Sequence, residues 1–191
     1  MFKSIVERFR PSRPAYIDRI SIEYGHILAQ GDCESILFFM LPNLQWGDGL
    51  NGAILGMAGL ELDEYIRHYS RNPHSGEVLA IPPFGTPYKQ MYMAILANWD
   101  GGNGFEDRDL MNCYRHAITM AQSMGIKNIA IPALGRDKRD FPHIRFARLA
   151  LKGILEALDN RMERVTIYCV DNRTLQTYQE QLYKLQHGDK A

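Results

Sequence analysis

Residues Ile36-Leu37-Phe38-Phe39-Met40-Leu41 form an unbroken apolar run, and a glycine-bearing stretch, Trp46 to Gly52, follows it closely. A short run of this kind is the mark of a strand buried on both faces. A strand covered on both sides needs a layer of helices above and below its sheet, so the run by itself points to an α/β protein. The segment after the glycines agrees. From Asn51 to Tyr69, Ile54, Met57, Ala58, Leu62, Tyr65 and Ile66 recur at helical spacing, which predicts one amphipathic helix despite Gly56 and Gly59.

The rest of the chain repeats the theme. Ile20, Ile22 and Tyr24 alternate with polar residues, and the following Gly25 and His26 to Ala29 predict a bulge or hairpin. Glu77–Ile81 and Met91–Ala97 read as strands joined by a proline-rich turn. Leu110, Cys113, Tyr114, Ala117, Ala121 and Met124 mark one face of a helix that stops at Gly125. Asn128–Leu134 is a short buried strand. Pro142 opens a helix running to about Leu158, with Ile144, Ala147, Leu151, Ile154, Leu155 and Leu158 inward. Arg164–Val170 is an alternating strand and Thr174–Leu185 a last helix. The expected fold is a three-layer α/β/α sandwich with a mixed central sheet, formed by a single domain over residues 20–188 with residues 1–19 as an arm.

Composition narrows the function. The chain has 22 Lys+Arg and 22 Asp+Glu among 191 residues, without the basic excess that drives duplex coating. The apolar run at 36–42 is far short of the ~20 residues that cross a bilayer. The three cysteines, Cys33, Cys113 and Cys169, are widely spaced and read as reduced thiols of a cytoplasmic protein. The six histidines show no metal-ligand spacing. No cofactor, metal or membrane partner is expected.

Ligands of open α/β sheets bind beyond the carboxyl ends of strands. Four loops are candidates: 31–33, 43–52, 135–140 and 170–172. The second carries Gly47, Gly49 and Gly52 at a strand-to-helix junction. It reads either as a phosphate cradle of backbone amides or as a tight turn with close helix packing. Trp46 and Trp99 are placed either to stack on a base or ribose or to anchor their loops. Cys33 is a nucleophile only with a base beside it, and otherwise a small buried residue.

Taken together, these segments resemble the macro domain family from about Gly25 to Tyr183. Gly31-Asp32-Cys33 is similar to the family's Gly-Asp-Ile turn. Asn43 matches the last residue of its Asn-Ala-Ala-Asn strand end, and Gly47 to Ile54 its Gly-Gly-Gly-Val-Asp-Gly-Ala-Ile segment. Ala58-Gly59, Gly76-Glu77-Val78 and Ile131 to Pro142 match further pieces. The resemblance implies binding of ADP-ribose or a related nucleotide, free or on a macromolecule. Asp32 would accept from the adenine amino group with the Cys33 backbone assisting, and Val170 to Asn172 would flank the base. Gly47, Gly49, Gly52, Gly135 and Arg136 would grip the diphosphate and distal ribose, Phe141 would pack on the ribose, and Asn43 would line it.

Departures from the pattern bear on catalysis. The family's hydrolases carry an aspartate where this chain has Asn51, and an amide cannot serve as a carboxylate base. Arg136-Asp137-Lys138-Arg139-Asp140 replaces a glycine-rich loop, with cations available to meet phosphate. Asp48, Asp137 and Asp140 form either a new acid–base or metal cluster or a set of solvated loop charges. Three functions follow: a nucleotide-binding module with weak or absent hydrolysis; an ADP-ribosyl hydrolase using Asp48 or Asp137; or a macro-like scaffold serving as a protein or RNA interaction surface.

Overall fold

A computed structural model describes residues 14–29, 31–102, 104–134 and 142–188. Among them, six strands form one sheet: β1 (Ile20–Tyr24), β2 (Ser35–Met40), β3 (Val78–Ile81), β4 (Gln90–Ile95), β5 (Asn128–Pro132) and β6 (Arg164–Cys169). Their spatial order is β1-β6-β5-β2-β4-β3. Every pair is parallel except β3 with β4. The sheet is therefore mixed, with its one antiparallel strand at an edge, as expected of this arrangement.

The apolar run is β2, and all six of its residues are buried. It is paired on both edges, with Ile36 opposite Met91 and Ala130. Alternation splits its side chains between two cores. Leu37 and Phe39 join the core beneath three helices, α3 (Glu106–Ser123), α4 (His143–Ala157) and α5 (Asn172–His187). Ile36, Phe38 and Met40 join the core beneath the other two, α1 (Leu50–Ala58) and α2 (Leu60–Tyr69). The result is the predicted three-layer α/β/α sandwich. No described helix is long and apolar enough to cross a membrane.

Four local expectations need correction. The single helix predicted over Asn51–Tyr69 is two, because Gly59 adopts φ 82° and ψ 175°, ending α1 and starting α2 in a new direction. That conformation suits a residue without a Cβ, so the weakness noted at this glycine was a break. Residues Ile27–Ala29 form a single 3₁₀ turn and no second strand; the amide of Gly25 is satisfied by the carbonyl of Cys169, which leaves no hairpin partner. Ile144 and Met124, assigned inward, are 62% and 51% exposed. Ile144 sits in the first turn of α4, where Phe146 takes the core position, and Met124 caps the end of α3.

The last residues of the expected arm are docked. Ile17 is 1% exposed and belongs to the core under α3, α4 and α5. Arg19 donates to the carbonyl of Asp159 at 3.0 Å and also to that of Met162, beyond the end of α4. Replacing a buried isoleucine by alanine removes transfer energy and leaves a cavity. Ile17→Ala is therefore expected to lower the stability of the chain by about 2–5 kcal/mol, read as a shifted urea midpoint. A midpoint indistinguishable from that of the unaltered chain would show that the segment does not contribute to the core.

Candidate functional site: a cleft at the carboxyl edge of the sheet

The parallel strands β1, β6, β5 and β2 all end at one edge of the sheet, and a cleft of about 630 Å³ opens there. That volume is within the ~300–1,000 Å³ of small-molecule sites. Four segments build its walls. His26, Ile27 and Leu28 follow β1; Asp48, Gly49, Leu50, Asn51 and Ala53 surround the start of α1; Pro132, Ala133 and Leu134 end β5; Tyr168 and Val170 end β6, with Phe39 of β2 at the base.

The glycine stretch forms the tight turn read from the sequence, and it leaves the start of α1 without a side-chain cap. A Cβ built on Gly52 would come within 2.9 Å of the Gly47 carbonyl oxygen. Only glycine lets the loop fold back this tightly on the first turn of α1. At the same time, Gly49 is the N-cap residue of α1 and offers no side chain, so no side-chain hydrogen bond closes that terminus. The first amides of a helix have no partner within it, and its dipole favours an anion there. Both features occur in six residues, and the terminus lies in the cleft wall.

Asn51 is held by its own hydrogen bond. Its Nδ2 donates to the carbonyl oxygen of Phe39 at 2.8 Å. The side chain thus ties the first turn of α1 to the end of β2. An aspartate at this position would face the carbonyl with a lone pair and no donor.

The remaining predicted residues divide by position. Asp48 lines the cleft and is exposed. Val170 also lines it. The Asn43 carboxamide accepts from the Gln45 amide at 3.1 Å, forming its own turn on the exposed loop. Asn172 begins α5, one residue after Asp171 caps it. Gly135, Arg136, Asp137 and Phe141 lie outside the described residues.

Asp32 and Cys33 need correction. They precede β2, so they lie toward the amino ends of the parallel strands, opposite the cleft. The Asp32 carbonyl accepts from Arg164, the first residue of β6, at 3.1 Å. Cys33 is 7% exposed and buried in the core under α1 and α2. Burial pushes its thiol up from the usual range, which suits the small core residue and disfavours a nucleophile. The glycine turn that does reach the cleft is Gly25-His26-Ile27-Leu28. Its signal was present in the sequence, because it follows the strand ending at Tyr24 directly, and cleft loops follow parallel strands. Tyr168 also lines the cleft, and burial raises its hydroxyl to about 12. It stays neutral at ordinary pH.

The tryptophans anchor loops. Trp46 donates from Nε1 to Asp63 at 2.7 Å and stacks on Phe38 with centroids 6.2 Å apart. Trp99 lies beneath Arg145, whose guanidinium is 5.0 Å from its ring centroid and pairs with Asp107.

Fold and cleft together define an open-sheet α/β/α protein that presents an uncapped helix terminus to a ligand-sized opening. The macro domain family model matches residues 42–150. A macro domain-containing protein of Methanosarcina mazei is 32% identical over 154 residues, 81% of this chain and 81% of its own length. An O-acetyl-ADP-ribose deacetylase of an Enterobacter species is 30% identical over 146 residues, 74% of this chain and 81% of its own. Among solved structures, the Oceanobacillus iheyensis macrodomain with ADP superposes at a TM-score of 0.76 and 23% identity, covering 90% of this chain and 95% of that one. The Trypanosoma brucei macrodomain in complex with ADP-ribose superposes at 0.73 and 19% identity, covering 92% and 75%. The chain belongs to the macro domain family.

Two predictions follow from the site. Asn51→Asp removes the donor to Phe39 and sets a carboxylate against a carbonyl oxygen. A loss of about 1–3 kcal/mol is expected at neutral pH, measured by urea unfolding. The variant carboxyl would titrate above its unfolded value in the folded state. The loss should therefore be present at neutral pH and fade as pH falls through that raised value, where a protonated oxygen can donate. A constant deficit from pH 7 to pH 4 would exclude this account.

Asp171 behaves oppositely. It accepts from the Thr174 amide at 2.9 Å and hydroxyl at 2.8 Å, and the amide bond leads in holding its carboxyl below the usual 3.8. Its stabilisation is complete above the unfolded pKa and lost as pH falls through the lower folded one. Asp171→Ala should cost about 0.5–2 kcal/mol at pH 7, with the gap to the unaltered chain closing in acid. A gap of the same size at pH 2 would contradict the cap assignment.

Proposed function

We propose that the chain binds ADP-ribose or a related adenine nucleotide derivative in this cleft, with weak or absent hydrolysis. The observation that carries the reading is the start of α1: an anion-favouring terminus with no side-chain cap, in the wall of a cleft large enough for a nucleotide. The diphosphate would sit against the amides that follow Gly49. The Asn51 carboxamide, engaged with Phe39, supports the binding half of the proposal and disfavours water activation by that residue. The ligands named for relatives, ADP and ADP-ribose, and the deacetylase name of another relative, make this nucleotide class the first to test.

One observation favours a second reading. Asp48 places a carboxylate at the rim of the same cleft, and a carboxylate beside a bound ester is a potential base. Hydrolysis of O-acetyl-ADP-ribose through Asp48 is therefore the alternative.

Calorimetric titration with ADP-ribose, coupled to turnover of O-acetyl-ADP-ribose, separates the two. The binding module is expected to give saturable heat and no turnover beyond the spontaneous rate. Absence of heat at millimolar ADP-ribose would remove the nucleotide reading altogether. Turnover that Asp48→Ala lowers by about 10²-fold or more would establish the hydrolase instead.

A further inference from the structure

Phosphate and base ask for different surroundings, and the cleft offers both. The α1 terminus supplies backbone donors. The ends of β1 and β6 supply a wall of Ile27, Leu28, Tyr168 and Val170, apolar enough to receive a flat heteroaromatic ring. The polar edge of that ring has few side chains to meet. Tyr168 is 5% exposed and packed in the core under α1 and α2. Asp32 lies at the amino edge of the sheet, where its carbonyl accepts from Arg164. The Asp171 carboxylate receives both donors of Thr174.

His26 stands apart from these. It lines the same wall, is exposed, and sits on the turn fixed by Gly25 to Cys169. Among the described residues its imidazole has no hydrogen-bond or ion-pair partner. An imidazole has a donor and an acceptor nitrogen and can exchange them between tautomers, whereas a carboxylate only accepts. A carboxylate set against the 6-position would select an amino group there over a carbonyl. An imidazole can meet an amino group or a carbonyl.

We propose that His26 reads the base of the bound nucleotide, and that the cleft consequently takes 6-oxopurine as well as 6-aminopurine nucleoside diphosphate-riboses. The inference rests on the nucleotide reading above and specifies its ligand class.

The test is calorimetric titration of the full chain with ADP-ribose and with inosine diphosphate-ribose, for the unaltered protein, His26→Ala and His26→Asp. The side chain is exposed, so both variants are expected to fold, and a thermal melt checks this. The unaltered chain should bind the two ligands within about threefold of each other, and His26→Ala should weaken both by about three- to tenfold, the worth of one hydrogen bond. His26→Asp should retain ADP-ribose and weaken inosine diphosphate-ribose by about tenfold or more, because a carboxylate set against the 6-position gives the 6-oxygen no donor. If the unaltered chain binds both ligands but His26→Ala changes neither, or His26→Asp leaves their ratio alone, the assignment of His26 is overturned while nucleotide binding stands. Preference of the unaltered chain for one ligand by tenfold or more also overturns it. If the unaltered chain binds neither, the nucleotide reading itself has failed.

Discussion

Strand β2 is hydrogen-bonded on both edges and buried on both faces, and that constraint fixes the positions of the other parts. Its alternation assigns Leu37 and Phe39 to one helical layer and Ile36, Phe38 and Met40 to the other. Its parallel pairing with β4 and β5 sets the edge at which loops can converge. At its end, the Phe39 carbonyl has run out of strand neighbours on one side and accepts from Asn51. That single bond couples the central strand to the first turn of α1, and so the core to the cleft. Stability and binding geometry meet at the same carbonyl.

The asparagine puts an amide where the family pattern has a carboxylate, and the amide holds the backbone. A carboxylate at this position has oxygen atoms with which to orient water. The amide has a donor with which to hold the backbone. In the second arrangement one amide N–H is spent on the Phe39 carbonyl. The helix terminus it supports has no side-chain cap.

Much of the architecture was legible because period-two and helical patterns report burial directly. The apolar run at 36–41, the inward residues of α3 from Leu110 to Ala121 and the alternation in β6 all describe which side chains must leave water. Gly59 was harder, since a glycine inside a helical pattern lowers propensity whether it is tolerated or breaks the helix; only its backbone angles distinguish the two. The site was less legible. The Gly47–Gly52 stretch was readable because few residue types allow such close backbone approach. The turn after β1 that lines the cleft was not read, because Gly31-Asp32 looks more like a ligand turn than Gly25-His26 does. Residue type and position in the topology gave different answers, and position relative to the strand ends was decisive.

The docking of residues Ile17 to Arg19 has a consequence for the cleft. Among the described residues strand β1 is an edge strand, paired with β6, and Gly25 to Leu28 extend from its far end. Its near end is secured by Ile17 in the core and by Arg19 on the carbonyls beyond α4. The strand is thus a lever, pinned at one end and bearing part of the cleft wall at the other. Trimming the chain past Ile17 would be felt at the turn from Gly25 to Leu28 as well as in the core.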